Sequence, residues 1–206
     1  YSLALLDVHS ASTCQMILTI LDRWKLELTK EIAEMIYTGL IFDTGGFRHP
    51  NTTVAVHNIA ARLLATGIDH STIFSTVLVE RKSSGLQLLA DTIANHKYLA
   101  NGEIILASID LATMNRLKCT QGDIEGIIDM LVFTQGVELA CLCIERSEQQ
   151  VKLSLRSRKT VNVATLAKKI HADGGGHIRA AGAIVPENLT SLMQRLPTLL
   201  CQTLTE

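Results

Sequence analysis

The chain has 206 residues, 47% of them apolar and 19% charged. A chain of that length buries about 70% of its unfolded surface, so the composition excludes a disordered segment and supports one or two cored domains. With 19 Lys and Arg against 20 Asp and Glu, the net charge of -1 excludes a strongly basic nucleic-acid coat, while leaving room for a local basic groove.

The first residue is Tyr1, and residues 2–6 already read as the end of a strand. The chain therefore reads as a fragment or processed form of a longer protein. No run of 18 apolar residues offers a membrane-spanning helix, and no secretory signal is present. The five cysteines, Cys14, Cys119, Cys141, Cys143 and Cys201, are odd in number. That count favours reduced thiols and a cytoplasmic setting. Cys141 and Cys143 alternate with Leu142 in an apolar strand pattern and lack the second pair that a zinc site needs, so they read as buried core thiols.

Residues 11–80 read as helical almost throughout. Residues 11–24 carry an apolar stripe at Ile17, Leu18, Leu21 and Trp24, with Ser12 or Thr13 as cap. Residues 30–38 form a second helix that leads into an apolar, strand-like run at residues 39–42. Residues 52–65 form a third helix, stopped by Thr66-Gly67. A short helix follows over residues 69–78.

Residues 81–101 contain Gly85 and an amphipathic stretch over residues 86–93, and read as a partly helical connector. Beyond it the texture alternates. Residues 103–109, 137–144 and 151–157 are strand candidates. Residues 123–131 and 163–171 are helical, the former weakened by Gly126. Gly174-Gly175-Gly176 breaks the pattern. Residues 189–204 form a last helix that Pro197 is expected to kink or split. Strands among helices favour an α/β class for both halves.

Three clusters carry chemistry. In the first, the strand-like run delivers Asp43 onto the turn Thr44-Gly45-Gly46, followed by Phe47 and Arg48. A carboxylate there serves as a metal ligand or closes an Asx turn. In the second, Ser154, Arg156 and Arg158 share one face of a period-2 strand, either for bidentate phosphate recognition or as a solvated face. In the third, Gly174-Gly175-Gly176-His177 lets backbone N–H groups approach an anion, with His177 beside them for hydrogen bonding or proton transfer. Ala180-Ala181-Gly182 reads as a tightly packed turn after it.

Together, YTGLIFDTGGFRHPNTT over residues 37–53 and GGGHIRAAG over residues 174–182 resemble the DHH phosphoesterases that carry a DHH-associated C-terminal domain, closest to the oligoribonuclease and phosphoadenosine-phosphate phosphatase subgroup. VKLSLRSR precedes the glycines at the expected place. SASTCQMI resembles the family's Ser-Thr helix opening, with Gln15 where Glu is usual. The resemblance implies an α/β architecture. Residues 1–82 would be the C-terminal portion of the DHH metal-binding domain, 83–101 the connector, and 102–206 a smaller α/β DHH-associated substrate-binding domain. It implies that Asp43 is a catalytic metal ligand for one of two Mn²⁺ ions, with Mg²⁺ as substitute. It further implies that Arg156, Ser157, Gly174, Gly175, Gly176 and His177 bind substrate across a cleft from the metals. Phe47 and Arg48 border the Asp43 turn, and His57 is expected to face the core.

The implied activity is metal-dependent hydrolysis of short RNA or DNA oligonucleotides or small nucleotide phosphates. Candidates are nanoRNA, 3'-phosphoadenosine 5'-phosphate and linear or cyclic di-adenylate. The family's Asp-x-Asp and Asp-His-His motifs are absent from these residues, and Asp7-Val8-His9 lies too close to the Ser-Thr helix to replace them. One carboxylate cannot hold two hard cations, so this chain by itself is expected to be inactive. The alternative is a non-catalytic nucleotide-binding or regulatory module that keeps the Arg156 and glycine face. No membrane partner is expected. A homodimer through Trp24 and Leu28 is a further expectation.

Overall fold

The computed structural model describes residues 6–204. The strand end expected at residues 2–6 lies outside them, except for Leu6, which is in no regular element. The chain divides into two compact units, residues 1–80 and 81–206.

In the described part of the first unit every regular element is helical. These are α1 (Thr13–Arg23), α2 (Lys30–Asp43), α3 (Val54–Leu64) and α4 (His70–Phe74), the last continued by a π-helical turn over Ser75–Val79. Ser12 caps α1 by accepting from the Gln15 N–H at 3.1 Å, and the Gln15 amide oxygen accepts from Ala11 N–H at 2.9 Å. Gln15 thus ties the first turn of α1 back to the residue before its cap. Helix α2 does not end at residue 38 but runs on to Asp43, because Ile36, Tyr37, Leu40 and Ile41 fall on one helical face and fill the core. Gly39 sits inside α2 because α1 crosses there: a Cβ would stand 2.3 Å from Cys14 Sγ. Trp24 is 71% exposed, whereas Leu28 packs onto the core, so the two do not form the shared exposed face expected of them. His57 is also exposed, its ring 5.3 Å from that of Phe47, rather than facing the core.

The second unit is a six-stranded sheet of order β1-β2-β3-β4-β6-β5. The strands are β1 (Lys97–Leu99), β2 (Ile104–Ile109), β3 (Leu139–Ser147), β4 (Gln150–Ser157), β5 (Gly175–His177) and β6 (Ala180–Val185). Only β2 and β3 pair in parallel. The stretch read as a connector is folded into this unit. Helix α5 (Ser83–Ala94) buries Leu88 against Ile105 and Ala107, because its apolar positions repeat at helical spacing. Helices α6 (Leu111–Arg116) and α7 (Ile127–Val132) complete that layer. Gly126 at φ 75° starts α7 and separates it from a 3-10 turn over Gln121–Ile124. The other face carries α8 (Val163–Ile170) and α9 (Leu189–Thr203), packed on Leu153, Leu155, Cys141 and Cys143. Each fully buried Leu there contributes about 1.5–3 kcal/mol. Pro197 does not split α9, whose buried stripe Leu192, Leu196 and Leu200 holds both sides of it to the sheet.

The helical layers are unequal. Helices α5 and α7 cover β2 and β3, and their layer leaves the same face of β6 and β5 open. Ala180, Gly182 and Ile184 belong to neither sheet core, while their alternates Ala181, Ala183 and Val185 are buried under α8. That open half-face positions the site.

Candidate functional site

Strand β4 alternates buried and open residues along its length. Val151, Leu153, Leu155 and Ser157 are buried, while Lys152, Ser154 and Arg156 point to the open half-face. Across the ladder, Ser154 is level with Gly182, and Gly182 with Gly175. One row further, Arg156 is level with Ala180, and Ala180 with His177. Arg156 and His177 therefore flank a row without a large side chain, two strand spacings or about 10 Å apart. A shallow pocket of about 440 Å³ opens over this patch, lined by Lys152, Ser154, Arg156, Asp173, Gly182 and Ile184 among others.

The glycines differ in purpose. They do not form a break but lead into the edge strand β5, and Ala180-Ala181-Gly182 is not a turn but part of β6. A Cβ on Gly174 would lie 2.2 Å from the Ala167 carbonyl oxygen, so that residue is glycine for packing on α8. Gly176 has φ 141°, and a Cβ there would lie 2.5 Å from the Ala180 oxygen. Gly175 has no such reason, since nothing stands within 4 Å of a Cβ built on it. Its missing side chain keeps the patch open beside Gly182.

Arg156 Nε donates to Asp129 Oδ1 on α7 at 3.1 Å, and Nη1 to the Leu155 carbonyl at 3.2 Å. The guanidinium is thus held at the edge of the patch while a third of its side chain stays exposed. Ser157 is not part of the patch. It lies on the opposite face, and its hydroxyl donates to the Val161 carbonyl at 2.6 Å. Strand alternation puts neighbours on opposite faces, so the expectation that Ser157 assists Arg156 is corrected. The sequence does not mark Asp129 as a neighbour of the patch, because no local pattern points to a partner 27 residues away.

Glu138 shapes the border. Its carboxylate accepts from the N–H groups of Lys159, Thr160 and Val161 at 2.7–3.1 Å, fixing the loop after β4. Burial pushes its pKa up, but the converging backbone donors outweigh this and hold it below the ordinary Glu value.

In the first unit, Asp43 is the last residue of α2, not the end of a strand. Gly45, Gly46 and Phe47 follow with φ of 57°, 66° and 66°, a left-handed run braced by Thr44 Oγ1 accepting from Phe47 N–H at 3.2 Å. The Asp43 carbonyl accepts from Asn51 Nδ2 at 3.1 Å, and its side chain is exposed. Burial and the Asp43 charge together raise the Cys14 pKa. The Asp43 carboxylate is a hard oxygen donor of the kind Mn²⁺ and Mg²⁺ take, so it suits one position of such a site. Among the described residues no group of three His, Cys, Asp or Glu is arranged to hold a metal.

The DHHA1 domain model matches residues 101–204. The chain belongs to the DHHA1 family. The match spans β2 to α9 and so contains the whole Arg156 patch. Over 181 residues the chain is 30% identical to the bifunctional oligoribonuclease and PAP phosphatase NrnA of Thermus thermophilus, covering 88% of this chain and 53% of that protein. It is 28% identical over 184 residues to the protein of the same name from Bacillus subtilis, covering 87% and 56%. An exopolyphosphatase-related protein of Bacteroides fragilis, known by crystal structure, superposes with a TM-score of 0.87 at 27% identity, over 94% of this chain and 57% of that one. The chain thus spans about half the length of the curated relatives it matches. These findings agree with the resemblance carried by the glycine and Asp43 motifs. Among the described residues no helix is long and apolar enough to cross a membrane.

Proposed function

We propose that the protein to which this DHHA1 chain belongs is a metal-dependent phosphoesterase acting on short oligonucleotides or small nucleotide phosphates. The observation that carries this reading is that the strand register sets Arg156, Ser154, Gly175, Gly182 and His177 on one open half-face of the sheet. A guanidinium and an imidazole on either side of Ala180, with a glycine row beside them, suit a phosphate, with Arg156 as the charge-assisted donor. Two relatives, each named bifunctional oligoribonuclease and PAP phosphatase, support a nucleotide substrate. 3'-Phosphoadenosine 5'-phosphate and linear di-adenylate fit that class.

Asp43 supplies one ligand to a catalytic divalent cation, Mn²⁺ or Mg²⁺. Such a cation, when bound, offsets negative charge on the phosphoryl oxygens and activates water. This chain's own work is to fix that carboxylate at the end of α2, just before the left-handed turn, and to grip phosphate with Arg156. His177 adds a hydrogen bond from the edge strand. Five thiols without a disulfide support a reducing, cytoplasmic setting.

The test is kinetic, on the full-length protein. Asp43→Ala is expected to abolish divalent-dependent hydrolysis of a 5'-phosphorylated diadenylate. Arg156→Ala is expected to raise KM about 10- to 100-fold with kcat largely kept, the mark of binding lost equally in ground and transition states. Full activity in Asp43→Ala would overturn the ligand role, and an unchanged KM in Arg156→Ala the phosphate role.

A further inference from the structure

Beyond the phosphate patch, β4 and α7 carry a second matched pair of contacts. Asp129 and Phe133 lie one helical turn apart, joined by the Phe133 N–H donating to the Asp129 carbonyl at 3.1 Å. Arg156 and Arg158 lie two residues apart at the end of β4, about 7 Å along the chain. Asp129 meets Arg156, and Phe133 meets Arg158, whose guanidinium carbon stands 5.9 Å from the ring centroid. The backbone at Arg158 is pinned, its N–H donating to the Glu138 carbonyl at 3.0 Å.

Phe133 does not serve the core. Its neighbours Leu131 and Val132 are buried there, while Phe133 is 54% exposed at the end of α7. An exposed ring capped by Arg158, which follows Arg156 by two residues, presents a flat surface beside a guanidinium suited to phosphate.

We propose that Phe133 and Arg158 form a stacking platform for the nucleobase of a nucleotide whose phosphate is held by Arg156. The proposal rests on the phosphate reading of the patch. It adds that affinity for substrate contains a base term separate from the phosphate term. Stacking on an aromatic ring with an Arg beside it uses the π-face that all bases share. The platform therefore selects nucleotides over inorganic phosphates while discriminating little among bases.

The experiment measures binding of two probes to the full-length protein with EDTA present: 5'-phosphorylated diadenylate, and inorganic pyrophosphate, which has phosphates and no base. Phe133→Ala is expected to weaken diadenylate binding about ten-fold or more and to change pyrophosphate binding less than two-fold. Phe133→Trp, which keeps a stacking face, is expected to retain the affinity. Arg158→Ala, on a largely exposed side chain, is expected to follow Phe133→Ala in direction with a smaller loss. Arg156→Ala is expected to weaken both probes. Equal effects of Phe133→Ala on both probes, or none on either while Arg156→Ala weakens both, would overturn the platform alone. No effect of Arg156→Ala on either probe would overturn the phosphate patch and the platform with it.

Discussion

Arg156 Nε lies 3.1 Å from Asp129 Oδ1, so the cation of the phosphate patch is held by a carboxylate of its own chain. That arrangement has opposing consequences. The carboxylate orients the guanidinium, and an exposed pair of this kind stabilises by about 0.2–1 kcal/mol. It also sets a negative charge beside an incoming phosphate, costing about 1 kcal/mol at 4–5 Å in water and more in a less polar site. Charge repulsion is the larger effect. Asp129→Asn keeps an oxygen acceptor for Nε and removes the charge, so inorganic phosphate is expected to bind about 2- to 5-fold tighter. Asp129→Ala, which loses the acceptor as well, is expected to gain less. Calorimetric titration of the two variants checks the order, and weaker binding in Asp129→Asn would show that positioning dominates.

The three glycines before His177 separate by variant. Gly174→Ala would drive a methyl into the Ala167 carbonyl, and Gly176→Ala into the Ala180 carbonyl at an unfavourable φ. Both are expected to lower the melting temperature by several degrees. Gly175→Ala meets nothing and is expected to leave the melting temperature within about 1 °C while weakening phosphate binding, because its methyl projects onto the open half-face. Thermal scans beside phosphate titrations distinguish the two classes. An unchanged affinity in Gly175→Ala would mean that the ligand does not lie over β5.

These residues also show what could be read from sequence alone. Alternation along residues 151–157 placed Ser154 and Arg156 on one face, and the structure keeps them there because the opposite residues fill a core. The same alternation removes Ser157 from the patch. Gly174-Gly175-Gly176 read as a break because glycine is poor in strands, yet cross-strand pairing with β6 and packing on α8 outweigh that preference. Residues 39–42 looked like a strand end since Leu, Ile and Phe suit one. The helical face of Ile36, Tyr37, Leu40 and Ile41 decides otherwise, and only tertiary burial reveals it. Asp129 lies in a short helix and Phe133 caps its end, and the sequence there names no partner. Their roles exist only once β4 lies beside α7.

The crossing of α1 and α2 makes a prediction on stability. Alanine normally exceeds glycine in a helix interior by about 1 kcal/mol. At Gly39 the added Cβ would stand 2.3 Å from Cys14 Sγ, so Gly39→Ala is expected to destabilise instead. Cys14→Ala removes the sulfur, leaving only the Cys14 Cβ at 3.2 Å. Gly39→Ala should then cost much less, or nothing, in the Cys14→Ala background. Urea unfolding of the four proteins in this double-mutant cycle measures the coupling, and additive effects would show that α1 shifts freely over α2.

Glu138 gives the pH dependence. Its pKa is lowered in the folded protein, since backbone donors from Val161, Lys159 and Thr160 outweigh the opposing effect of burial. A carboxylate with a depressed folded pKa contributes stability that is present above its unfolded pKa and is lost as pH falls through the folded value. Acidification through the carboxylate range should therefore loosen the loop after β4, beside Arg158 and the phosphate patch. Glu138→Gln retains one acceptor and loses the charge, so it is expected to be less stable than the parent at neutral pH and to lose less on acidification. Hydrogen exchange at the Lys159, Thr160 and Val161 amides reads this locally. Faster exchange in the variant at pH 7, with the gap closing toward pH 3, is the expected result. Equal protection at both pH values would mean that the Glu138 charge does not hold the loop.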